Sequence, residues 1–453
     1  AMNHELYACE LMDKTILDCT KDNLLQQKNR FFVEGDPEAI LMCEVKADSI
    51  LEANLKADAL ISDLIETKLS YANPKLIGND IEKATQLRSA GLGLLGNIVG
   101  DKKSAACIED TAVALPDLAN YIKEFTALMK GYNQEAIYYA HAGAGELHLR
   151  PMLNLKKSED LVLFRKITTD VAHLVKKYKG SMSGEHGDGI VRAEFISFMI
   201  GESNYNILKR IKTAFDPYNI FNPGKIVDPF PMDKSLRYEP DRKEPEIDTL
   251  LDFSSSLGIL RETEKCNGSG DCRKPAEAGG TMCPSYRATL DEKDSTRGRA
   301  NVLREFLTQN TKENPFDHPE IKKAMDLCIS CKACKSECPS NVDMASLKAE
   351  FLYQYQKTNP VSLRSKLIAH NARINAIAHR FAKIYNFIGK STWFKSLIGV
   401  HPNRSLPSLQ YQTLRQWFSS IQQEDHSKSV YLFCDEYSNH FDVEIGKKTI
   451  LLL

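Results

Sequence analysis

The segment Cys328-Ile-Ser-Cys331-Lys-Ala-Cys334-Lys-Ser-Glu-Cys338-Pro339 decides how the second half of this 453-residue chain folds. Its spacing, C-x2-C-x2-C-x3-C-P, lets three thiolates hold one iron-sulfur cubane while the fourth thiolate reaches a second cluster. A structural zinc site is the alternative, but such sites favour two separated cysteine pairs over three thiols at successive threes. The segment therefore predicts iron-sulfur clusters.

Three cysteines upstream of this segment supply further ligands. In Cys266-Asn-Gly-Ser269-Gly-Asp-Cys272 the outer cysteines keep the same spacing, and Ser269 stands where the middle cysteine is expected. Exchanging the fourth cysteines, as in two-cluster ferredoxins, gives a complete set of Cys283, Cys328, Cys331 and Cys334 and an incomplete set of Cys266, Cys272 and Cys338. The incomplete set is compatible with a three-iron cluster, with a four-iron cluster that uses Ser269 or another oxygen ligand, or with an empty site.

The rest of the chain divides into regions of different pattern. Residues 1–229 alternate strand-like and helical segments, which predicts a ferredoxin-like α+β domain with an antiparallel sheet and flanking helices. Residues 230–254 are proline-rich and charged, as linkers are. Residues 255–345 hold the clustered cysteines and are expected to form an all-α domain of the two-cluster ferredoxin type. Residues 346–428 have the pattern of amphipathic helices and form a helical extension.

The last region, residues 429–453, has the pattern of one strand and one helix. Its first residues, Ser-Val-Tyr-Leu-Phe-Cys at 429–434, have the composition of a buried strand, and the helix pattern after them runs to Leu453. A single strand-helix unit cannot cover both faces of its strand. We therefore expect a truncated start of a further α/β domain here, in a chain that is an internal fragment of a longer protein.

Composition and charge exclude several classes of function. Lys+Arg 59 against Asp+Glu 60 leaves a net charge of -1, which supplies no overall field for a nucleic-acid partner. No apolar run approaches the ~20 residues of a membrane span, and the first residues have no secretion signal. Thiols clustered in one segment indicate metal ligation in a reducing compartment. We expect a cytoplasmic protein or one peripheral to the inner membrane, with no membrane span.

Two histidines mark a second candidate site in the first region. His141 and His148 flank a turn that contains Gly143 and Gly145, and a glycine reversal can bring the two imidazoles together. Side chains alternate along a strand, so Arg150 shares a face with His148. A cation beside a possible metal ligand indicates recognition of an anionic substrate.

A glycine-rich loop adds a carboxylate and a third imidazole. Glu185 and His186 lie in Ser-Gly-Glu-His-Gly-Asp-Gly, where the glycines let the backbone approach a ligand closely. Each histidine alone is more often a hydrogen-bonded core or surface residue. Together, two histidines and one glutamate leave open positions on a divalent metal such as zinc, as a catalytic site requires.

One glycine motif is expected to have no nucleotide-binding role. Gly91-Leu-Gly93-Leu-Leu-Gly96 matches the dinucleotide fingerprint G-x-G-x-x-G by letter. That fingerprint needs a strand before it and a helix after it. Here residues 84–90 have a helical pattern, and residues 100–103 interrupt any helix that follows.

Taken in order, these motifs resemble a known family. HAGAGELHLRP at 141–151, GSMSGEHGDG at 180–189 and AFDPYNIFNPGK at 214–225 resemble the C-terminal cap domain of the vanillyl-alcohol-oxidase-like flavoproteins. This class includes D-lactate dehydrogenase, glycolate oxidase and D-2-hydroxyglutarate dehydrogenase. CNGSGDCRK at 266–274, GGTMCPSYRAT at 279–289 and STRGRANVLREF at 295–306 resemble the glycolate-oxidase-type iron-sulfur part that long bacterial proteins fuse to such enzymes.

The resemblance implies an FAD-dependent dehydrogenase that oxidises a D-2-hydroxy acid to the 2-oxo acid. Electrons are expected to pass from FAD through [4Fe-4S] clusters to an external acceptor, which is a quinone, a cytochrome or an electron carrier. The implied roles are divalent-metal binding by His141, His148 and Glu185, general base for His186, substrate carboxylate binding by Arg88 and Arg150, and proximity to the flavin for Asn222 and Lys225. The family binds FAD mainly through a domain that precedes this one, so the isolated chain is expected to be inactive.

Two other classes of protein remain open from the sequence. The chain could be an electron-transfer module whose first domain only docks a partner flavoprotein; iron without zinc or manganese would favour that hypothesis. It could instead be a structural adaptor with zinc at the cysteines, which a colourless zinc-containing preparation would support.

Overall fold

The computed structural model describes residues 1–21, 23–421 and 430–453. These residues form two compact units, residues 1–355 and residues 356–453. The first unit contains both the candidate histidine site and the clustered cysteines.

An antiparallel sheet lies at the centre of the first 230 residues. Its strands are β1 (Ala8–Asp13), β2 (Ala39–Glu44), β3 (Lys103–Ser104), β4 (Ile108–Ala112), β5 (Ala136–His141) and β6 (Glu146–Leu153). Their order is β2-β1-β5-β6-β3, with β4 also paired to β6. The register of β5 and β6 places Tyr139 opposite His148 and His141 opposite Glu146. The predicted antiparallel sheet is therefore confirmed.

Helices flank this sheet, as the sequence predicts. They are α1 (Lys14–Cys19), α2 (Leu24–Gln27), α3 (Ile50–Thr67), α4 (Asn79–Ser89), α5 (Gly91–Leu94), α6 (Leu118–Gly131), α7 (Ser158–Lys177), α8 (Ile196–Ile200) and α9 (Glu202–Phe215). Helix α6 buries Tyr121, Phe125 and Met129, which recur at four-residue intervals and so lie on one face. With the buried face of α7 they enclose Leu147 and Leu149 of β6. The intervening His148 is left for the other side of the strand.

The glycine motif at 91–96 follows a helix. Helix α4 ends at Ser89, and Gly91 begins the short helix α5, which continues as a 3-10 turn from Leu95 to Asn97. The strand that a dinucleotide fingerprint requires before its glycines is replaced by α4. The prediction that this motif is not a Rossmann loop is confirmed.

The cysteine region is helical. Its helices are α10 (Ile259–Glu264), α11 (Pro284–Thr289), α12 (Thr296–Thr308), α13 (Pro319–Met325), α14 (Ala333–Glu337) and α15 (Met344–Thr358). The domain boundary predicted at 345/346 falls inside α15. Leu347 and Phe351 of this helix are fully buried in the core that contains the cysteines, and this burial keeps most of the helix, up to Tyr355, in the first unit.

The segment predicted as a linker lies along the first domain. Residues 216–253, all of which the structure describes, contain no helix or strand. The backbone N–H of Asp241 donates to the carbonyl of Lys156 at 2.8 Å, and Arg165 pairs with Asp233 at 2.8 Å. These contacts tie the segment down along its length.

The second unit is helical in its described residues. Its helices are α16 (Leu363–Ala369), α17 (Asn371–Ala378), α18 (Ala382–Lys390), α19 (Thr392–Leu397), α20 (Leu414–Ser420), α21 (Glu436–His440) and α22 (Val443–Leu452). The strand predicted at 429–434 is wrong over residues 430–434. Ser429 lies outside the described residues, and residues 430–434 form no strand, with Tyr431 and Phe433 exposed. A strand needs a hydrogen-bonded neighbour, and the described neighbours in this unit are helices.

The helices were compared with the length and hydropathy of a membrane-spanning helix. Among the described residues, no helix combines the length and the apolar character needed to cross a bilayer.

Candidate functional site

The turn between β5 and β6 brings two histidines together. Gly145 adopts φ 74°, and a Cβ there would lie 2.1 Å from the carbonyl oxygen of Val113. Only glycine fits this left-handed, close-packed position. The rings of His141 and His148 consequently lie 5.3 Å apart, centroid to centroid, at 77°.

Asp110 of β4 holds the glycine-rich loop against this hairpin. Its carboxylate accepts the backbone N–H of Glu185 at 2.9 Å and of His186 at 2.8 Å, and the hydroxyl of Ser183 at 2.6 Å. The carbonyl of Asp110 also accepts the N–H of Gly184 at 2.7 Å. Burial alone would raise the pKa of Asp110, but hydrogen bonds outweigh it and hold that pKa well below the usual range. The largest of these effects is the hydrogen bond with the carboxyl group of Glu146, followed by the bonds from the loop.

Glu185 lies at the meeting point of three imidazoles. Its Oε1 is 3.3 Å from Nε2 of His141, 3.7 Å from Nε2 of His148 and 3.3 Å from Nε2 of His186. One ligand atom each from His141, His148 and Glu185 falls within 4.8 Å of the other two. The ring of His186 stacks on that of His148 at 5.1 Å and 10°. The structure thus brings all four predicted residues together.

The protonation of His148 and the orientation of His141 suit a divalent metal. His148 is 3% exposed, and burial, joined by the charges of His186, His141 and Arg150, lowers its pKa to about 4. A neutral imidazole is the form that binds metal. Nδ1 of His141 lies 2.9 Å from Oε1 of Glu10, which leaves Nε2 free to face Glu185. Carboxylates commonly orient metal-binding histidines in this way.

Both predicted arginines lie beside the histidines, and each already has a carboxylate partner. Arg88 pairs with Glu10, and its guanidinium lies 4.4 Å from the ring centroid of Tyr139. Arg150 is 6% exposed and pairs with Glu109. Arg88 also approaches Nδ1 of His141 at 3.3 Å. The two arginines therefore lie at the histidine cluster with their charges already paired by carboxylates.

Sequence reasoning missed four carboxylates of this site: Glu10, Glu109, Asp110 and Glu146. Glu109 Oε1 lies 3.6 Å from Nδ1 of His186. Burial and contact with Asp110 raise the pKa of Glu146 to about 7. Each of the four lies on a strand of the sheet, and an acidic residue within a predicted strand is the signal that could have identified it, because carboxylates are seldom buried without a partner.

Asn222 and Lys225 lie away from regular structure. The structure places them on the exposed loop after α9, where Asn222 adopts φ 47°. Their predicted proximity to a flavin stays a prediction.

The complete cysteine set lines one cavity. Cys283, Cys328, Cys331 and Cys334 surround it, together with Arg299. Arg299 is 0% exposed and lies 3.6 Å from the sulfur of Cys283. Burial would raise the pKa of Cys283, but its contacts with Ser285 and Arg299 lower it, which favours the thiolate that binds iron.

The incomplete cysteine set lies at a second position. Burial raises the pKa of Cys338 to about 11, and the nearby thiols of Cys266 and Cys272 contribute to the rise. The backbone N–H of Arg297 donates to the sulfur of Cys272 at 3.4 Å. Ser269 is exposed. The exchange of fourth cysteines expected from the sequence matches this arrangement.

Comparison with protein families assigns the two parts of the first unit. Residues 1–226 match the family described as FAD linked oxidases, C-terminal domain, and residues 265–343 match the 4Fe-4S dicluster domain. The chain joins a FAD-linked oxidase C-terminal domain to a 4Fe-4S dicluster domain. The oxidase domain contains the histidine cluster, and the dicluster domain contains both cysteine sets.

Curated relatives align with most or with part of this chain. A D-2-hydroxyglutarate dehydrogenase of Haemophilus influenzae is 28% identical over 98% of this chain and 48% of its own length. One of Pseudomonas putida is 31% identical over 88% of this chain and 43% of its own. A D-lactate dehydrogenase of Archaeoglobus fulgidus is 33% identical over 28% of this chain and 28% of its own. The chain spans about half the length of the D-2-hydroxyglutarate dehydrogenases that it matches.

Proposed function

We propose that this chain is the substrate-capping and electron-relay part of a flavin-dependent dehydrogenase. Its substrate is a D-2-hydroxy acid of the D-lactate, D-2-hydroxyglutarate or glycolate class, which it oxidises to the 2-oxo acid. The observation that carries the proposal is the convergence of His141, His148, Glu185 and His186 beside Arg88. The names of the curated relatives support it.

The metal site is proposed from its donor set. His141, His148 and Glu185 would hold one divalent ion, which we propose is zinc, because two imidazoles and a carboxylate leave positions open for substrate oxygens. Such an ion lowers the pKa of an alcohol oxygen that it binds. The pairing of His141 with Glu10 fixes the ring so that one nitrogen stays available.

The side chains around the ion bind the substrate and accept its proton. Arg88 and Arg150 provide the positive charge that attracts the substrate carboxylate. His186 takes the proton of the α-hydroxyl, and Glu109, 3.6 Å from its other nitrogen, stabilises the imidazolium that results. FAD, held mainly by residues outside this chain, supplies the hydride acceptor. We propose that Asn222 and Lys225 approach it.

The electrons leave through the dicluster domain. We propose a four-iron cluster on Cys283, Cys328, Cys331 and Cys334 and a less stable cluster on Cys266, Cys272 and Cys338. The final acceptor is a quinone, a cytochrome or another carrier in the cytoplasm or at the inner membrane. The alternative, in which the oxidase domain only docks a partner, gives no role to the cluster of four carboxylates and three histidines. Such clusters of titratable side chains are typical of functional sites.

A change at His186 tests the proposal. In the full-length flavin-loaded protein, His186→Ala should lower kcat with the preferred D-2-hydroxy acid by about 100-fold or more, the usual contribution of a general base. The assay is a panel of D-2-hydroxy acids with a dye acceptor. His173→Ala, on α7 and against Phe198, is the matched control and should retain activity. Turnover of none of the acids by the wild-type protein would contradict the proposal.

A further inference from the structure

The glycine motif at 91–96 makes a contact between domains that plays no part in the proposed function. A Cβ on Gly93 would lie 2.0 Å from the Cβ of Pro339, and one on Gly96 would lie 2.6 Å from Oγ of Ser340. Real Cβ atoms do not approach other atoms so closely, so these positions accept only glycine as the domains stand. The glycines let the oxidase domain contact the residues that directly follow Cys338.

Hydrogen bonds fix this contact. Asn97 donates through Nδ2 to the carbonyl of Pro339 at 3.1 Å, and Ser340 donates through Oγ to the carbonyl of Gly93 at 3.2 Å. Ser340 is fully buried. A side-chain bond in each direction holds the two segments in one register.

The same surface of the oxidase domain reaches a second ligand of the incomplete set. A Cβ on Gly96 would lie 3.0 Å from the carbonyl oxygen of Lys265, the residue before Cys266. Arg237 donates to the carbonyl of Cys266 at 2.8 Å. Two of the three thiols in the incomplete set are therefore flanked by residues that contact the oxidase domain or the segment after it.

Contacts also connect this motif to the histidine site. Tyr139 stacks on His148 at 5.4 Å, and its hydroxyl donates to the carbonyl of Arg88 at 2.9 Å. A Cβ on Gly91 would lie 3.4 Å from the ring of the same tyrosine. Gly93 follows Arg88 by five residues, which at the rise of a helix is a distance of roughly 8 Å along the axis. Packed contacts thus run without a break from the histidines to Pro339.

The complete cysteine set adjoins a different part of the oxidase domain, because helix α14, which contains Cys334, packs against α2. Every residue that lines its cavity comes from the range 282–345 of the dicluster domain. The two sets therefore differ in their contacts with the glycine motif. The incomplete set lies next to residues that touch this motif, whereas the cavity of the complete set is lined by dicluster residues alone.

We propose that the turn of Gly91 to Asn97 is the dock that fixes the order of electron transfer: flavin, then the cluster on Cys266, Cys272 and Cys338, then the cluster on Cys283, Cys328, Cys331 and Cys334. The proposal rests on the proposed function for the identity of the electron donor. Electron transfer between separated centres slows steeply with distance, so the first acceptor is the cluster held against the glycine motif, from which packed contacts lead to the histidine site.

The number of electrons released determines how many transfers pass through the cluster at the dock. Each D-2-hydroxy acid gives up two electrons and two protons as its C–H and O–H bonds break. A cluster accepts one electron at a time, so the reduced flavin is oxidised in two successive one-electron passages through the cluster at the dock. The protons go to His186 and, by way of the flavin, to solvent. An acceptor of the quinone class removes both electrons from the far cluster.

The first test changes the dock and leaves the ligands intact. In the full-length flavin- and iron-loaded protein, Gly93→Ala should slow the reduction of the clusters by about tenfold or more, equivalent to raising the barrier by ~1.4 kcal/mol or more. The flavin is reduced photochemically, so the rate of cluster bleaching does not depend on turnover of a hydroxy acid. Gly131→Ala is the control, because a Cβ at Gly131 meets nothing within 4 Å. A Gly93→Ala protein with full iron content and wild-type cluster reduction would overturn the proposal.

The second test removes one cluster at a time. It tests the order of electron transfer even if the Gly93→Ala protein does not assemble its clusters. Cys338→Ala should leave the four-thiolate cluster reducible by dithionite but no longer by photoreduced flavin, as read by electron paramagnetic resonance. Cys331→Ala should leave the other cluster reducible by both. Wild-type reduction of the four-thiolate cluster by flavin in Cys338→Ala would overturn the order. Failure of the proposed function is recognised separately, as a flavin that no D-2-hydroxy acid bleaches.

Discussion

Asp110 adopts φ 79° within β4, where the ladder with β6 shifts register between Glu109 and Thr111. A non-glycine residue in this region costs of order 1–3 kcal/mol, which persists only where the surroundings enforce it. Here the bend turns the carboxylate towards the loop at 183–186, whose N–H groups it accepts. The backbone of one residue thus places both Glu185 and His186.

Replacing this carboxylate should weaken metal binding without unfolding the domain. Asp110→Asn keeps the shape but loses the negative charge that holds the loop, so the affinity for zinc should fall by about 10- to 100-fold, as for other residues that support ligands. Zinc affinity is measured by competition with a chelator. Asp63→Asn, at an exposed pair with His4, should have no effect. Unchanged zinc affinity in Asp110→Asn would remove Asp110 from its supporting role.

The elements that could be predicted from the sequence are those whose signal is local. The β5-β6 hairpin follows from histidines around a glycine turn, and the cysteine sets follow from spacing. Glu10 could not be predicted, because it lies 131 residues from His141 and meets it only through the pairing of β1 with β5. The strand expected at 429–434 failed for the opposite reason, since an apolar run needs a neighbouring strand as well as a suitable composition.

The two cluster loops should differ in their hold on iron. The incomplete loop offers three thiolates and an exposed Ser269, and a serine oxygen is a harder ligand that must lose a proton to bind. On exposure to air, this site should lose its iron first. Iron counting and spin quantitation after anaerobic reconstitution measure the difference.

A serine-to-cysteine change supplies the matched comparison. Ser269→Cys should add or strengthen a second four-iron signal, because it restores the fourth thiolate. Ser330→Cys, in the loop of the complete set, adds a thiol where four are already present and should change neither signal. Two equally stable four-iron clusters in the wild type would show that another residue completes the site.

At the scale of the first unit, a buried lysine joins the oxidase domain, the segment after it and the dicluster domain. Nζ of Lys156 lies 3.1 Å from Asp101, 2.9 Å from Glu244 and 2.8 Å from Glu264. Burial opposes the charge on Lys156, but the carboxylates, Glu264 first, outweigh it and raise the pKa of the lysine. Its contribution to stability is therefore complete below the unfolded pKa of about 10.4 and is lost as pH rises through the higher folded pKa.

Removal of this lysine should loosen the junction on which the proposed electron path depends. Lys156→Met would leave Glu264, whose side chain is 4% exposed, without its cation, and breaking a buried pair costs about 3–5 kcal/mol. Thermal melts of the iron-loaded protein should shift downward for Lys156→Met and stay near wild type for Lys157→Met, since Lys157 is the exposed neighbour. The difference between wild type and Lys156→Met should shrink above pH ~10.4, where the lysine begins to lose its charge. An equal shift for both variants, or one that persists unchanged through alkaline pH, would mean that the two domains are held together by their apolar contacts and not by this charge.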